Sequence, residues 1–245
     1  MKVALFIPCY IDQFYPQVGI ATLELLEKFG INALYPEKQT CCGQPMANAG
    51  FEHLTNTCND HFVETFAGYD YIVSPSGSCV LHVKDHLHAT NNEKALLTKA
   101  KVFELTAFLT EILDVKTINA KFYHKVGLHQ SCHGQRGLKL SQMSELVAPA
   151  FSKPEHLLRM VEGLELIELD RKDECCGFGG TFCVGEEAVS VKMGKDRVAD
   201  HLQYGAEFIT ANDMSCLMHL EGILRRQKSK TKVIHIAEIL NADVQ

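Results

Sequence analysis

An unbroken apolar run, Val3-Ala4-Leu5-Phe6-Ile7, opens the chain and closes at Pro8-Cys9, the pattern of a strand buried on both faces over Met1 to Cys9. Val18, Leu23, Leu26 and Phe29 recur at helical spacing, which predicts a helix over Val18 to Phe29 with Gly30 as its C-cap. Ile31 to Tyr35 alternates as a second strand, and Pro36 opens a loop carrying Cys41-Cys42-Gly43, which Pro45 keeps in a turn. A further helix is predicted from about Ala47 to Phe66, ended by Gly68. Tyr71 to Ser74 reads as a third strand whose carboxyl end delivers Cys79. Strand, helix, strand, helix, strand is the order of a parallel sheet with crossover helices, and ligands gather at the carboxyl ends of such strands.

The same order recurs in the second half. Val126 to Ser131 leads to Cys132, the pair returns as Cys175-Cys176-Gly177, and Phe208 to Ser215 leads to Cys216. Gly68 to Cys79 and Gly205 to Cys216 have equal separation, and Lys101 to Leu109 closes the first half as Lys232 to Leu240 closes the second. The expected fold is therefore α/β, in two pseudo-symmetric lobes. Each is a small parallel sheet with crossover helices and cysteine ligands at the strand carboxyl ends. Asp114 to Ala120 is the expected linker and Phe122 begins the repeat, so the lobes are expected at 1–118 and 119–245.

Composition narrows the function. With 46% hydrophobic and 22% charged residues the chain is of the soluble globular class. A net charge of -6, without an aromatic-basic motif, argues against nucleic acid. The apolar runs are too short to span a membrane, and Met1 to Tyr10 lacks the features of a secretory signal, so a cytoplasmic location is expected. In a reducing compartment, cysteines at fixed spacings bind metal more often than they form disulfides. A disulfide between adjacent cysteines would also be strained.

Eight cysteines thus form two sets of four: Cys9, Cys41, Cys42 and Cys79, then Cys132, Cys175, Cys176 and Cys216. Four thiolates suit either tetrahedral zinc or a [4Fe–4S] cluster. Structural zinc generally takes two short knuckles, whereas an adjacent pair on long separations suits a cluster, whose irons the two thiolates can share out. No dinucleotide-binding glycine pattern is present. Gly177-Phe178-Gly179-Gly180 is too short for one, and is expected to let the backbone approach the cluster and donate N–H groups to sulfur.

Both Cys-Cys-Gly segments, each with one cysteine on either side, resemble the cysteine-rich CCG domain family, and the likeness covers the whole chain. That family includes the B subunit of heterodisulfide reductase, glycolate oxidase iron–sulfur subunits and lactate-utilisation proteins. The resemblance to the last group implies an iron–sulfur electron-transfer subunit of a complex oxidising L-lactate to pyruvate. A larger iron–sulfur subunit and a third subunit would be its partners. Heterodisulfide-reductase-like members end each motif in C-x-x-C, but here the first of those positions is Ser76 or Asp213. The departure disfavours a five-cysteine non-cubane cluster and favours four-thiolate ligation, with Ser76 or Asp213 as a lesser oxygen-ligand alternative. Some members are thought to hold zinc, which leaves zinc open for one site. A zinc-stabilised assembly scaffold and a heterodisulfide-reductase-like thiol/disulfide subunit are the rival readings.

Weaker signals remain. Cys58 reads as a small buried hydrophobe in mid-helix, and Cys183 as a candidate extra ligand. His129 and His133 flank Cys132; satisfied structural histidines are the expectation, with cluster tuning as the alternative. Arg136 is a weak candidate for a substrate carboxylate, with no catalytic residue identified. The basic run Arg225 to Lys232 is expected to be a solvated loop, with docking of an acidic partner as its functional alternative.

Overall fold

Two four-stranded, all-parallel sheets organise the computed structural model, which describes residues 1–242. The first half runs β1 (Val3–Leu5), α1 (Cys9–Phe14), α2 (Pro16–Lys28), β2 (Ala33–Leu34), α3 (Gln44–Met46), α4 (Asn56–Phe66), β3 (Tyr71–Ser74), α5 (Gly77–His86), α6 (Asn92–Lys99), β4 (Val102–Glu104) and α7 (Leu105–Ala107). The second runs β5 (Lys125–Leu128), α8 (Lys153–Leu158), β6 (Glu165–Leu166), α9 (Phe182–Gly185), α10 (Glu187–Gln203), β7 (Phe208–Ala211), α11 (Met214–Arg226), β8 (Lys232–His235) and α12 (Ile236–Leu240). Strand order is β2-β1-β3-β4 in one sheet and β6-β5-β7-β8 in the other. Registers match as well: Ala4 faces Ile72 as Gly127 faces Ile209. The order reverses between β1 and β3, and between β5 and β7, which is where an open parallel sheet offers its crevice.

Three expected elements differ in detail. The first strand stops at Leu5, and Cys9 begins α1 instead of ending a strand. The second strand is confined to Ala33–Leu34. The helix expected over Ala47 to Phe66 is broken. Ala47–Phe51 forms a wide π-type turn in which Gly50 takes φ 88°, Glu52–Leu54 a tight 3-10 turn, and α4 starts only at Asn56. Cys58 therefore lies in the first turn of α4 and is half-buried, not enclosed in mid-helix.

The lobes share a core. One apolar cluster runs from Leu5, Val73 and Phe108 to Val126, Leu217 and Ile236. The expected linker joins it: Val115, Ile118 and Ala120 are buried in that cluster, so this stretch is a core segment and not a solvated tether. Helix α2 packs on α12, tied by Asn241 Nδ2 donating to Glu24 at 2.6 Å. Among the described residues no helix is long and apolar enough to cross a membrane.

Candidate metal centres

Each sheet sends three loops to one edge, and the loops carry the cysteines. Cys9 opens α1 after β1, the Cys41-Cys42 loop follows β2, and Cys79 lies in the first turn of α5 after β3. The second lobe repeats this with Cys132, Cys175-Cys176 and Cys216. All eight line a single cavity of about 290 Å³ between the lobes, whose walls also include Ile11, Phe178, Asp213 and Met214. Pro45 and Val184, both exposed, stand on its rim.

Backbone geometry at the two pairs is nearly identical. Gly43 and Gly177 take φ 90° and 87°, a left-handed turn that a residue with a side chain adopts only under strain. The turn aims the Gly43 N–H at Cys41 Sγ and the Gly177 N–H at Cys175 Sγ, both at 3.4 Å. Phe178 N–H adds a donor to Cys176 Sγ at 3.5 Å. Both glycines are also backed closely: a methyl group on Gly177 would stand 2.7 Å from the Ser190 carbonyl oxygen, and one on Gly43 3.3 Å from Thr55.

The sulfurs are crowded, with Cys9 and Cys41 3.9 Å apart. Thiol donation from Cys42 and Cys9, with the Gly43 N–H, holds Cys41 well below the ordinary thiol range. Cys132, Cys176 and the Gly177 N–H do the same for Cys175. Their neighbours move the other way. Sharing a proton with Cys41 and burial push Cys9 and Cys42 up, and the same causes around Cys175 push up Cys132 and Cys176. One thiolate per set is thus stabilised by unionised partners. All four can ionise together only around a cation, which deprotonates the thiols it binds. The donor set therefore fits a metal ion or an iron–sulfur cluster at each site.

Histidines stand behind both sets. His82 and His219 occupy equal positions after Cys79 and Cys216, against the backbone of Cys42 and Cys176. Burial lowers both, His82 to about 4. The repeated Cys-x-x-His spacing was the signal for them, hidden among twelve histidines. His129 corrects an expectation, because it is fully buried yet neither ring nitrogen has a hydrogen-bond partner among the described residues. Burial, and secondarily the Arg197 guanidinium, lowers it to about 3, so the ring is neutral. His133 lines the cavity.

The remaining candidates fall elsewhere. Asp213 occupies the N-cap position of α11 but reaches across the lobe boundary, accepting from Ser76 Oγ at 3.0 Å, Ser78 Oγ at 2.7 Å and Ser78 N–H at 2.8 Å. Ser76 and Asp213 are thereby bonded to each other on the cavity wall. Cys183 donates to the Gly180 carbonyl at 3.0 Å and lines a separate surface depression with His219 and Arg226. Arg136 lies on the surface, paired with Glu145 at 2.5 Å, away from the cysteine cavity. Arg225 pairs with Glu221 in the last turns of α11.

The model of the cysteine-rich domain (CCG) matches this chain twice, over residues 3–84 and 126–221. A lactate utilization protein A from an Exiguobacterium species is 42% identical over 251 residues, covering 100% of this chain and 98% of that one. A lactate utilization protein A from Bacillus subtilis is 39% identical, covering 99% of this chain and 100% of that one. Among solved structures, a hypothetical protein from Helicobacter pylori superposes with a TM-score of 0.59 at 14% identity. That match covers 98% of this chain and 48% of the other, a likeness of fold alone.

Proposed function

The chain belongs to the cysteine-rich CCG domain family, in the group of lactate utilization protein A, and from that premise we propose that it is the iron–sulfur electron-transfer subunit of a complex oxidising L-lactate to pyruvate. The observation that carries this reading is the convergence of two complete four-cysteine sets on one cavity. Cys9, Cys41, Cys42 and Cys79 would hold one centre, and Cys132, Cys175, Cys176 and Cys216 the other. Thiolate-held clusters pass single electrons at potentials set by surrounding charge and hydrogen bonds. The chain's own contribution is to fix that environment. The N–H groups of Gly43, Gly177 and Phe178 stabilise sulfur charge, and Ile11, Phe178 and Met214 limit water. The partners in this reading are a larger iron–sulfur subunit and a third subunit, meeting the chain in the cytoplasm.

Iron, acid-labile sulfide and zinc per chain, measured on anaerobically purified protein with EPR before and after dithionite, test it. About four irons with matching sulfide per occupied site, and a signal that changes on reduction, are expected. Zinc without sulfide at both sites would favour the assembly scaffold instead. Cys176→Ala is expected to lose the absorbance of one centre, and the lactate-oxidising activity of the complex, while keeping its fold. Full activity in that variant would defeat the proposal.

A further inference from the structure

The two lobes differ at one buried trio beside the cysteine pairs. In the first lobe Phe6, Phe62 and Phe66 pack ring against ring, with centroids 5.2, 5.7 and 4.6 Å apart. Phe6 precedes Cys9 by the same interval that separates His129 from Cys132. Counted from Thr55 and Ser190, which back the two Cys-Cys-Gly glycines, Phe62 and Phe66 on α4 correspond to Arg197 and His201 on α10. The second lobe has thus replaced a greasy trio by His129, Arg197 and His201, all three fully buried.

The exchange is built into the surroundings. Arg197 Nε donates to His201 Nε2 at 3.2 Å, and its guanidinium faces Asp200 at 3.3 Å and the Arg171 carbonyl. The His201 ring fills the space that a side chain on residue 127 would need, and glycine stands there where the first lobe has Ala4. Burying these polar groups carries a desolvation penalty that an aromatic trio avoids. The first lobe shows that the same fold is held without them. Packing therefore does not account for the trio, and two unpartnered ring nitrogens on a buried imidazole call for a partner.

The partner available is the second centre. A ring nitrogen of His129 and the sulfurs of Cys176 and Cys216 all lie within 4.8 Å of one another, near enough to share a metal ion. We propose that His129 is a nitrogen ligand of the second centre, joining Cys176 and Cys216, so that the two centres are chemically distinct. Arg197 lies within electrostatic range of both His129 and Cys176, where its positive charge offsets the negative charge that the thiolates gather. Phe6 offers no donor at the corresponding place, so the first centre is held by thiolates alone.

The inference rests on the reading of the cysteine sets as metal centres, and the test separates the two. Metal and sulfide are counted on anaerobically purified full-length chain. X-ray absorption is then recorded at the edge of the metal found, for the wild type and for His129→Phe, which copies the first lobe. The expected wild-type spectrum contains outer-shell scattering from an imidazole, and the variant loses it. Pulsed EPR of ¹⁵N-histidine-labelled chain should show a matching nitrogen coupling that disappears with the substitution. A metal-loaded wild type without imidazole scattering overturns the inference and leaves the metal-centre reading intact. So does scattering that survives His129→Phe. A chain that binds no metal overturns both. Because the wild-type spectrum decides the matter, poor folding of the variant would not protect the idea.

Discussion

Gly43 and Gly177 show how narrowly single residues define the two cysteine clusters. Any side chain at 177 meets both a left-handed φ and the Ser190 carbonyl oxygen, which cannot yield as a flexible side chain would. Gly177→Ala is expected to cost about 1–3 kcal/mol of stability and to swing the Gly177 N–H off Cys175, measurable as a lower denaturation midpoint and a loss of metal from one centre. Gly43 is backed by Thr55 at 3.3 Å, which can shift, so Gly43→Ala should be the milder change. The eight cysteines were legible because their order repeats, and the structure brings them to one cavity. His129 was legible as a neighbour of Cys132 but not as an unpartnered one. Whether a buried ring finds a hydrogen bond depends on elements far downstream in the chain, here α10. Arg136 illustrates the converse, since a guanidinium near a cysteine in sequence found Glu145 instead.

At the scale of elements, the ends of β4 and β8 carry a matched pair of buried caps. Glu104 accepts from Thr106 N–H at 2.7 Å and Ala107 N–H at 3.1 Å, capping α7. His235 Nδ1 accepts from Ala237 N–H at 3.1 Å, capping α12. Asn212 Nδ2 donates to Glu104 at 2.7 Å across the lobe boundary. Burial raises Glu104 from 4.5 to about 7, so between those values the unfolded chain has lost a proton that the folded chain keeps. Stability from this group therefore falls as pH rises through that window, by about 3 kcal/mol in all. Burial lowers His235 from 6.5 to about 4, so its contribution falls in the opposite direction, as pH drops through that range. Glu104→Gln removes the first effect and leaves the second. Urea denaturation at pH 5 and pH 8 should show the variant losing stability toward acid more steeply than the wild type. An unchanged pH profile would contradict the assignment. The broken helix before α4 belongs at this scale too. Apolar periodicity favoured one continuous helix, but Gly50 turns left-handed and the chain restarts at Asn56, a local choice that periodicity does not register. The basic run at the end of α11 is tested by replacing Arg225, Arg226, Lys228 and Lys230 with serine. A solvated surface predicts unchanged association with the partner subunits, and a salt-sensitive loss would indicate docking.

For the molecule as a whole, the repeat was the strongest message in the sequence, and the two parallel sheets follow from it. Less legible was how the halves meet, because nothing in a single repeat states which of its faces the other covers. We propose 1–118 and 119–245 as the units of duplication, not as independent folding units. The core passes between them through Phe108, Val115 and Ile118, and the Asp213 carboxylate accepts from Ser76 and Ser78 of the other lobe. A single cooperative unfolding transition is expected, with near- and far-ultraviolet signals coincident. Each half expressed alone should be poorly folded. Two separated transitions would argue for autonomous lobes.

The delivery of each cysteine set by three separate strand ends also has a consequence for biogenesis. Cys9, Cys41-Cys42 and Cys79 are brought together by sheet pairing, and the chain between them must be ordered before their sulfurs can meet. Short zinc knuckles can seize their ion while the polypeptide is still emerging, but sites made this way cannot. Under the proposed metal-centre reading, loading would follow folding, and the newly made chain would persist as a folded intermediate with eight thiols facing one cavity whose rim opens beside Pro45 and Val184. Maturation would then rest on a donor able to deliver through this opening, with the interval between synthesis and loading the time of greatest vulnerability to oxidation.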